Sequence, residues 1–220
     1  MTDRLTLAVV TAGLSEDSTT TRLGEAIAKA ASGAVENAEQ HVNIKVIQLR
    51  DLAHGLTDMM ITHVASPAVQ DAIDTVLNAD GLVAASPTYK ASYSGLFKQF
   101  FDVIDESALE NLPTVIAATG GSPRHSLVLD TAMRPLLSYL KALVLPLGIY
   151  AASEDWGHND LQRRIDRVGA SLGTMWLAGS PSGASGSLDD DAARPGLRRE
   201  VKDEFSNVPD FASLLASVGS

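Results

Sequence analysis

The feature that most constrains this chain is an alternation of short apolar, β-branched runs with stretches whose apolar residues recur at helical spacing. The run 5–10 (Leu-Thr-Leu-Ala-Val-Val) opens the series and ends near the breaker Gly13. Leu23, Ile27, Ala30 and Ala31 then mark a helix over 22–31. The same pattern predicts strands over 43–49, 81–85, 113–118 and 146–151. It predicts helices over 67–77, opened by Ser66-Pro67, over 95–104, over 127–142 despite Pro135, and over 159–177. Continuous apolar runs fit strands covered on both faces, and right-handed βαβ crossovers supply that cover. The expected fold is therefore α/β, a doubly wound five-stranded parallel sheet of order 2-1-3-4-5 with helices on both faces. Such sheets bind ligands outside the carboxyl ends of their strands at the topological switch point, which points to the loops after strands one, three and four.

Composition narrows the class. With 220 residues, 45% of them hydrophobic, the chain has material for one full core, and no apolar run approaches the roughly 20 residues that span a bilayer. A net charge of −10 without a Lys/Arg cluster argues against nucleic acid and anionic membranes as partners. The densest basic group, Arg163, Arg164 and Arg167, falls beside Asp160 and Asp166 on a helix and reads as a solvated face. The absence of cysteine removes disulfides, thiolate metal sites and cysteine nucleophiles, and residues 1–4 lead into the first strand without a signal-peptide core, so a cytoplasmic location is expected. Residues 1–178 form the expected domain. Residues 179–204 read as a flexible linker rich in Ser, Gly and charge, and 205–220, with Phe211, Leu214 and Leu215, as a segment that could form a short docking helix.

Three loops could carry chemistry. The first holds Ser15 and the hydroxyl run Ser18-Thr19-Thr20-Thr21 before Arg22, at a strand-to-helix junction. Backbone N–H groups and the helix dipole favour a phosphate there, while Ser or Thr at the same place also serves as an ordinary N-cap; both readings stand. No Gly-x-x-x-x-Gly-Lys-Ser/Thr or Gly-x-Gly-x-x-Gly follows strand one, which favours a monophosphate over a triphosphate or a Rossmann-bound dinucleotide. The second loop, Ser86 to Gly95, places Tyr89 and Tyr93 among small and hydroxyl residues, suited to a flat heteroaromatic ring or to packing of the loop itself. Lys98 and Asp102 read as a structural pair. In the third loop, Thr119-Gly120-Gly121-Ser122, successive glycines either open backbone N–H groups to a ligand or make a tight turn. His125 lacks a carboxylate at metal-ligand spacing, which favours a cap or substrate-edge contact and no metal.

Taken together, Pro87-Thr88-Tyr89-Lys90-Ala91-Ser92-Tyr93-Ser94-Gly95-Leu96-Phe97-Lys98 and Ala118-Thr119-Gly120-Gly121-Ser122, then His125, Asp130 and Arg134-Pro135, resemble the NAD(P)H-dependent FMN reductases of flavodoxin-like fold, especially those serving two-component monooxygenases. The likeness runs from about Leu5 to Leu177. It implies an FMN phosphate on Ser15, Ser18, Thr20, Thr21 and Arg22, although the first loop departs from the family's Ser/Arg/Thr spacing. It implies ring and ribityl contacts from Pro87, Thr88, Tyr89, Ser92, Thr119, Gly120, Gly121 and the adjoining Ser122, with Tyr93 and His125 facing the substrate. NADPH or NADH would pass a hydride from its C4 to flavin N5, with no obligatory acid or base in the protein. A flavin-dependent monooxygenase as recipient and a homodimer or homotetramer are implied as well, with Thr131 standing where some family members carry an aromatic residue or His in the interface helix. The rival expectations are a flavodoxin-type electron carrier, a quinone or azo reductase with tightly bound FMN, and a flavin-free interaction module.

Overall fold

In the computed structural model, which describes residues 5–36 and 40–179, β1 (Leu5–Thr11) is buried from Leu7 onward because helices cover both of its faces. Alternate side chains divide between two cores, as the two-residue period of a strand requires. Leu7 and Val9, with Val83, Ala85, Val115 and Ala117, face α1 (Thr19–Glu36) and α6 (Asn159–Gly179). Ala8 and Val10, with Leu82, Ala84, Ile116 and Ala118, face α2 (Leu49–Thr62), α3 (Pro67–Leu77), α4 (Gly95–Asp102) and α5 (Arg134–Tyr139). The remaining strands are β2 (Val42–Gln48), β3 (Gly81–Tyr89), β4 (Ser92–Tyr93), β5 (Pro113–Gly120), β6 (Leu143–Val144) and β7 (Ile149–Ala152).

The sheet has seven strands rather than the expected five of order 2-1-3-4-5. Its path is β2-β1-β3-β5-β6, with β4 paired to β3 and β7 paired to β5. β1, β2, β3 and β5 run parallel in the manner of a doubly wound fold. Two local causes account for the extra strands. β3 continues past its buried part to Tyr89 and turns back as the antiparallel β4. The outer edge of β5 is shared between β6 at its start and β7 at its end, because Pro146 has no N–H to continue a ladder between them.

Helix bounds differ where tertiary contacts override the local pattern. α1 begins at Thr19 inside the hydroxyl run, and α2, which the pattern does not announce, follows β2 without a loop. Over the predicted helix 127–142, which a 3-10 turn Pro123–His125 precedes, the chain forms a π-helical turn Leu129–Met133 and then α5. Pro135 explains the change of pitch: it lacks a donor and its ring crowds the carbonyl four residues back, so the ladder widens before it. Arg134 pins the segment, donating to Asp130 (2.9 Å) and to the carbonyls of Leu145 (2.9 Å) and Pro146 (3.2 Å). The linker assigned to 179–204 and the segment 205–220 lie outside the described residues except for Gly179, the last residue of α6.

Candidate functional site

A cleft of about 480 Å³ opens at the carboxyl ends of β3, β5 and β7, beside the N-terminus of α1. Its first wall is built by the loop after β1. Ser18 caps α1, its Oγ accepting from the Thr21 N–H at 3.2 Å. The cap requires Gly13, since a Cβ there would stand 1.8 Å from Ser18 Oγ. Thr21 Oγ1 pairs with Thr11 Oγ1 (3.1 Å) and Thr20 Oγ1 with Thr119 Oγ1 (2.7 Å), both buried. Ser18, Thr20 and Thr21 are thus engaged with the protein, whereas Thr19 and Arg22 line the cleft; Ser15 is exposed outside the lining. Arg22 is the one Lys or Arg on the cleft wall among the described residues.

The second wall is the outgoing arm of the β3–β4 hairpin. Pro87, Thr88 and Tyr89 line it, and Tyr89 is exposed instead of packing on the sheet. Lys90 (φ 50°) and Ala91 (φ 65°) form a two-residue turn with both central residues left-handed, which lets the strands keep their right-handed twist and costs two non-glycine residues conformational strain. Ser86 Oγ accepts from the Ser94 N–H (2.9 Å) and donates to the Pro87 carbonyl (2.9 Å), locking the base of the hairpin. The returning arm leads elsewhere. Ser92 and Tyr93 border a separate groove of about 670 Å³ against α4, the π-helical turn and α5, where Tyr93 packs on Phe97 at a centroid distance of 5.6 Å. That groove contains the expected Lys98–Asp102 pair and a Tyr139 hydroxyl that donates to Glu106, whose hydrogen bond raises the phenol pKa.

The third wall is Thr119, Gly120 and Gly121. A Cβ on Gly120 would lie 2.1 Å from the Tyr150 hydroxyl, so glycine is required for that phenol to reach the Ser122 carbonyl (2.8 Å) behind the wall. At Gly121 a Cβ would meet nothing within 4 Å, and the backbone faces open space. Burial pushes the Tyr150 phenol above the usual phenol range; the neighbouring Thr88 hydroxyl opposes the rise and the Asp155 carboxylate adds to it. The Tyr150 proton goes to Ser122, and the Thr88 hydroxyl, buried in the cleft wall, has the Tyr150 oxygen as its polar neighbour. His125 is exposed on the 3-10 turn outside the lining.

The structure adds a fourth wall that sequence reasoning missed: Ala151, Ser153 and Trp156, from the end of β7 and the 3-10 turn Ser153–Asp155. Trp156 sits under the Arg22 guanidinium, 5.2 Å from Cζ to the ring centroid. The turn that carries it is anchored by Arg164, which bridges Asp155 (3.2 Å) and donates to the Tyr150 carbonyl (2.9 Å), while Asp155 accepts from the Ala152 N–H (2.8 Å). Arg164 therefore departs from the solvated-face reading given to its cluster. The available signal was the rarity of tryptophan in a chain that has two, placed just after the last strand.

These walls fit FMN. The volume lies within the roughly 300–1,000 Å³ of small-molecule sites. The Gly121 backbone is open, Tyr89 is exposed at the wall, and the helix N-terminus with Arg22 suits an anion. Among the described residues no group of three His, Cys, Asp or Glu could hold a metal, and no helix is long and apolar enough to cross a membrane.

A parallel sheet covered on both faces, with such a cleft at its carboxyl ends, defines an α/β protein of flavodoxin-like fold. A flavodoxin of WrbA-like type from Agrobacterium tumefaciens, 19% identical, shares that fold at a TM-score of 0.55, covering 80% of this chain and 99% of that one. The chain belongs to the NADPH-dependent FMN reductase family, whose model matches residues 5–157. It is 44% identical over 115 residues to an FMN reductase (NADPH) of Pseudomonas aeruginosa, which covers 52% of this chain and 62% of that relative, less than two thirds of its length. It is 34% identical over 172 residues to the NADH-dependent FMN reductase SfnF of Pseudomonas putida, covering 76% of this chain and 90% of the relative. A solved oxidoreductase from Corynebacterium diphtheriae is 43% identical with a TM-score of 0.78, covering 80% of this chain and 99% of that one.

Proposed function

We propose that the protein is an NAD(P)H:FMN oxidoreductase that binds FMN in the cleft at the carboxyl ends of β3, β5 and β7. The observation that carries this reading is the meeting in one cleft of Arg22, its one Lys or Arg among the described residues, at the α1 N-terminus with an open Gly121 backbone and the exposed Tyr89 arm. Family membership and relatives named for FMN reduction with NADPH or NADH support it. When bound, FMN supplies the hydride acceptor, and the reduced nicotinamide supplies the hydride.

In this reading Arg22 and the α1 N-terminus hold the phosphate end. Pro87, Thr88 and Tyr89 on one side and Thr119, Gly120 and Gly121 on the other orient the ring and ribityl chain and exclude water from its edge. No side chain in the cleft has to move a proton. The cleft offers one cation to a dianionic phosphate, in keeping with FMN exchanged as a substrate-like cofactor and passed to a flavin-dependent monooxygenase. Assembly as a homodimer or homotetramer, in the cytoplasm, completes the reading; the broad groove beside the exposed Tyr139 supports the assembly.

The test is NAD(P)H consumption by the purified protein with and without added FMN. Saturable, FMN-dependent turnover is expected, and comparison of the two nucleotides identifies the donor. Failure to oxidise either nucleotide, even with FMN loaded, would replace the reductase reading with that of an electron carrier.

A further inference from the structure

We infer that Trp156 is a positioning residue: its ring holds the Arg22 guanidinium over the cleft so that Arg22 neutralises a phosphate monoester there, and the structure assigns that monoester to FMN. The inference rests on the reading of the cleft as the FMN site.

The argument begins with what the first loop lacks. Its two charged residues before Arg22 are Glu16 and Asp17, both exposed and both repulsive to an anion. Ser18 Oγ caps Thr21, and the Thr20 and Thr21 hydroxyls pair with Thr119 and Thr11. Positive charge for a phosphate must therefore come from Arg22, one turn into α1. An exposed arginine on a helix sweeps many rotamers, and a dianion bound to it has to offset that lost freedom. Here the guanidinium lies 5.2 Å over the Trp156 ring, and no carboxylate among the described residues bridges it. Of the two acids in the adjoining turn, Asp155 is already bridged by Arg164 and bonded to the Ala152 N–H, and Glu154 is exposed and forms no ion pair with Arg22. The ring thus orients the cation without neutralising it. A contact with the ring face uses none of the guanidinium N–H donors as an ion pair would, and leaves them for a fork onto phosphate oxygens.

The experiment compares FMN with riboflavin, which carries the same ring and ribityl chain without the phosphate, by flavin fluorescence titration. Trp156→Leu should weaken FMN about three- to tenfold, the range of a cation–π contact, and leave riboflavin unchanged. Trp156→Phe, which keeps a ring, should recover most of the loss. Arg22→Ala should weaken FMN more than Trp156→Leu does, and adding Trp156→Leu to Arg22→Ala should change nothing further. Equal losses for FMN and riboflavin would mean that Trp156 contacts the flavin or only shapes the loop, and would overturn the inference. Additive losses in the double variant would overturn it as well. A rise confined to the KM for NADPH, with FMN affinity intact, would move the phosphate from flavin to nucleotide and also defeat it. If the parent protein binds neither flavin, the reading of the site fails first, and that result is separable from all of these.

Discussion

The cleft and the groove lie on the two arms of one hairpin, and they treat polar groups in opposite ways. In the groove the charged and phenolic groups satisfy one another, Lys98 with Asp102 and Tyr139 with Glu106. In the cleft no carboxylate among the described residues bridges the Arg22 guanidinium, and the backbone at Gly121 faces open space. A cation without a counter-charge beside open backbone at a concave site is matched to an anion that binds there. A self-satisfied surface carries no such demand. Volume alone would have chosen the groove, at about 670 Å³ against 480 Å³; unmet hydrogen-bonding capacity chooses the cleft.

The largest effect that tests this contrast lies under the groove. Phe97 is fully buried between Tyr93 and Phe101, and Phe97→Ala should lower stability by about 3–5 kcal/mol in urea denaturation, with FMN affinity little changed in the folded fraction. Coupled loss of FMN binding would show that the two concavities are one site. Next comes Gly120→Ala, whose methyl would collide with the Tyr150 hydroxyl; a loss of FMN affinity of about tenfold or more is expected, measured by fluorescence titration. Thr20→Val removes the hydrogen bond to Thr119 that joins the first and third loops, and should cost about 1 kcal/mol of stability, read from the denaturation midpoint.

A smaller effect concerns pH. Burial raises the Tyr150 pKa in the folded state, so the native protein holds that proton more tightly than the unfolded chain. Its contribution is fully present below about pH 10, the usual phenol value, and is lost as pH rises through the folded pKa. Tyr150→Phe should flatten that alkaline fall in a stability-against-pH series, at the cost of the bond to Ser122. The smallest effect sharpens the comparison most. Ser92→Ala and Tyr93→Phe alter only the groove arm, and FMN affinity should stay within about twofold of the parent, below what one lost hydrogen bond would give. A larger change would return both residues to the flavin site.

Much of the fold was legible because burial on both faces writes itself into strand sequences. Leu5 to Val10 and the runs at 81–85 and 113–118 are apolar but for Thr6 and Thr114, and each lies in a parallel strand. What escaped were elements held by distant contacts. α2 has only Leu49 and Leu56 fully buried and leaves Met60 and Ile61 exposed, so its helical period is faint. β4 has two residues and exists through pairing with Thr88 and Tyr89. In the structure Tyr89 and Gly120-Gly121 line one cleft at the carboxyl ends of the strands. Ser92 and Tyr93, their neighbours in sequence, line the groove, because the chain reverses between Tyr89 and Ser92 and sets the returning arm one strand spacing away.

The sequence by itself determined that the chain makes a parallel sheet wrapped by helices, with hydroxyl, aromatic and glycine loops at its carboxyl edge, because hydrophobic period and turn chemistry are local properties. Only the tertiary structure decided which members of those loops face the cleft. Thr20 meets Thr119 across 99 positions, and Arg22 meets Trp156 across a still longer stretch of chain. Such pairings depend on which strands lie side by side and on how far each loop projects. Those distances are set by the packing of the whole sheet, and no window of sequence contains them.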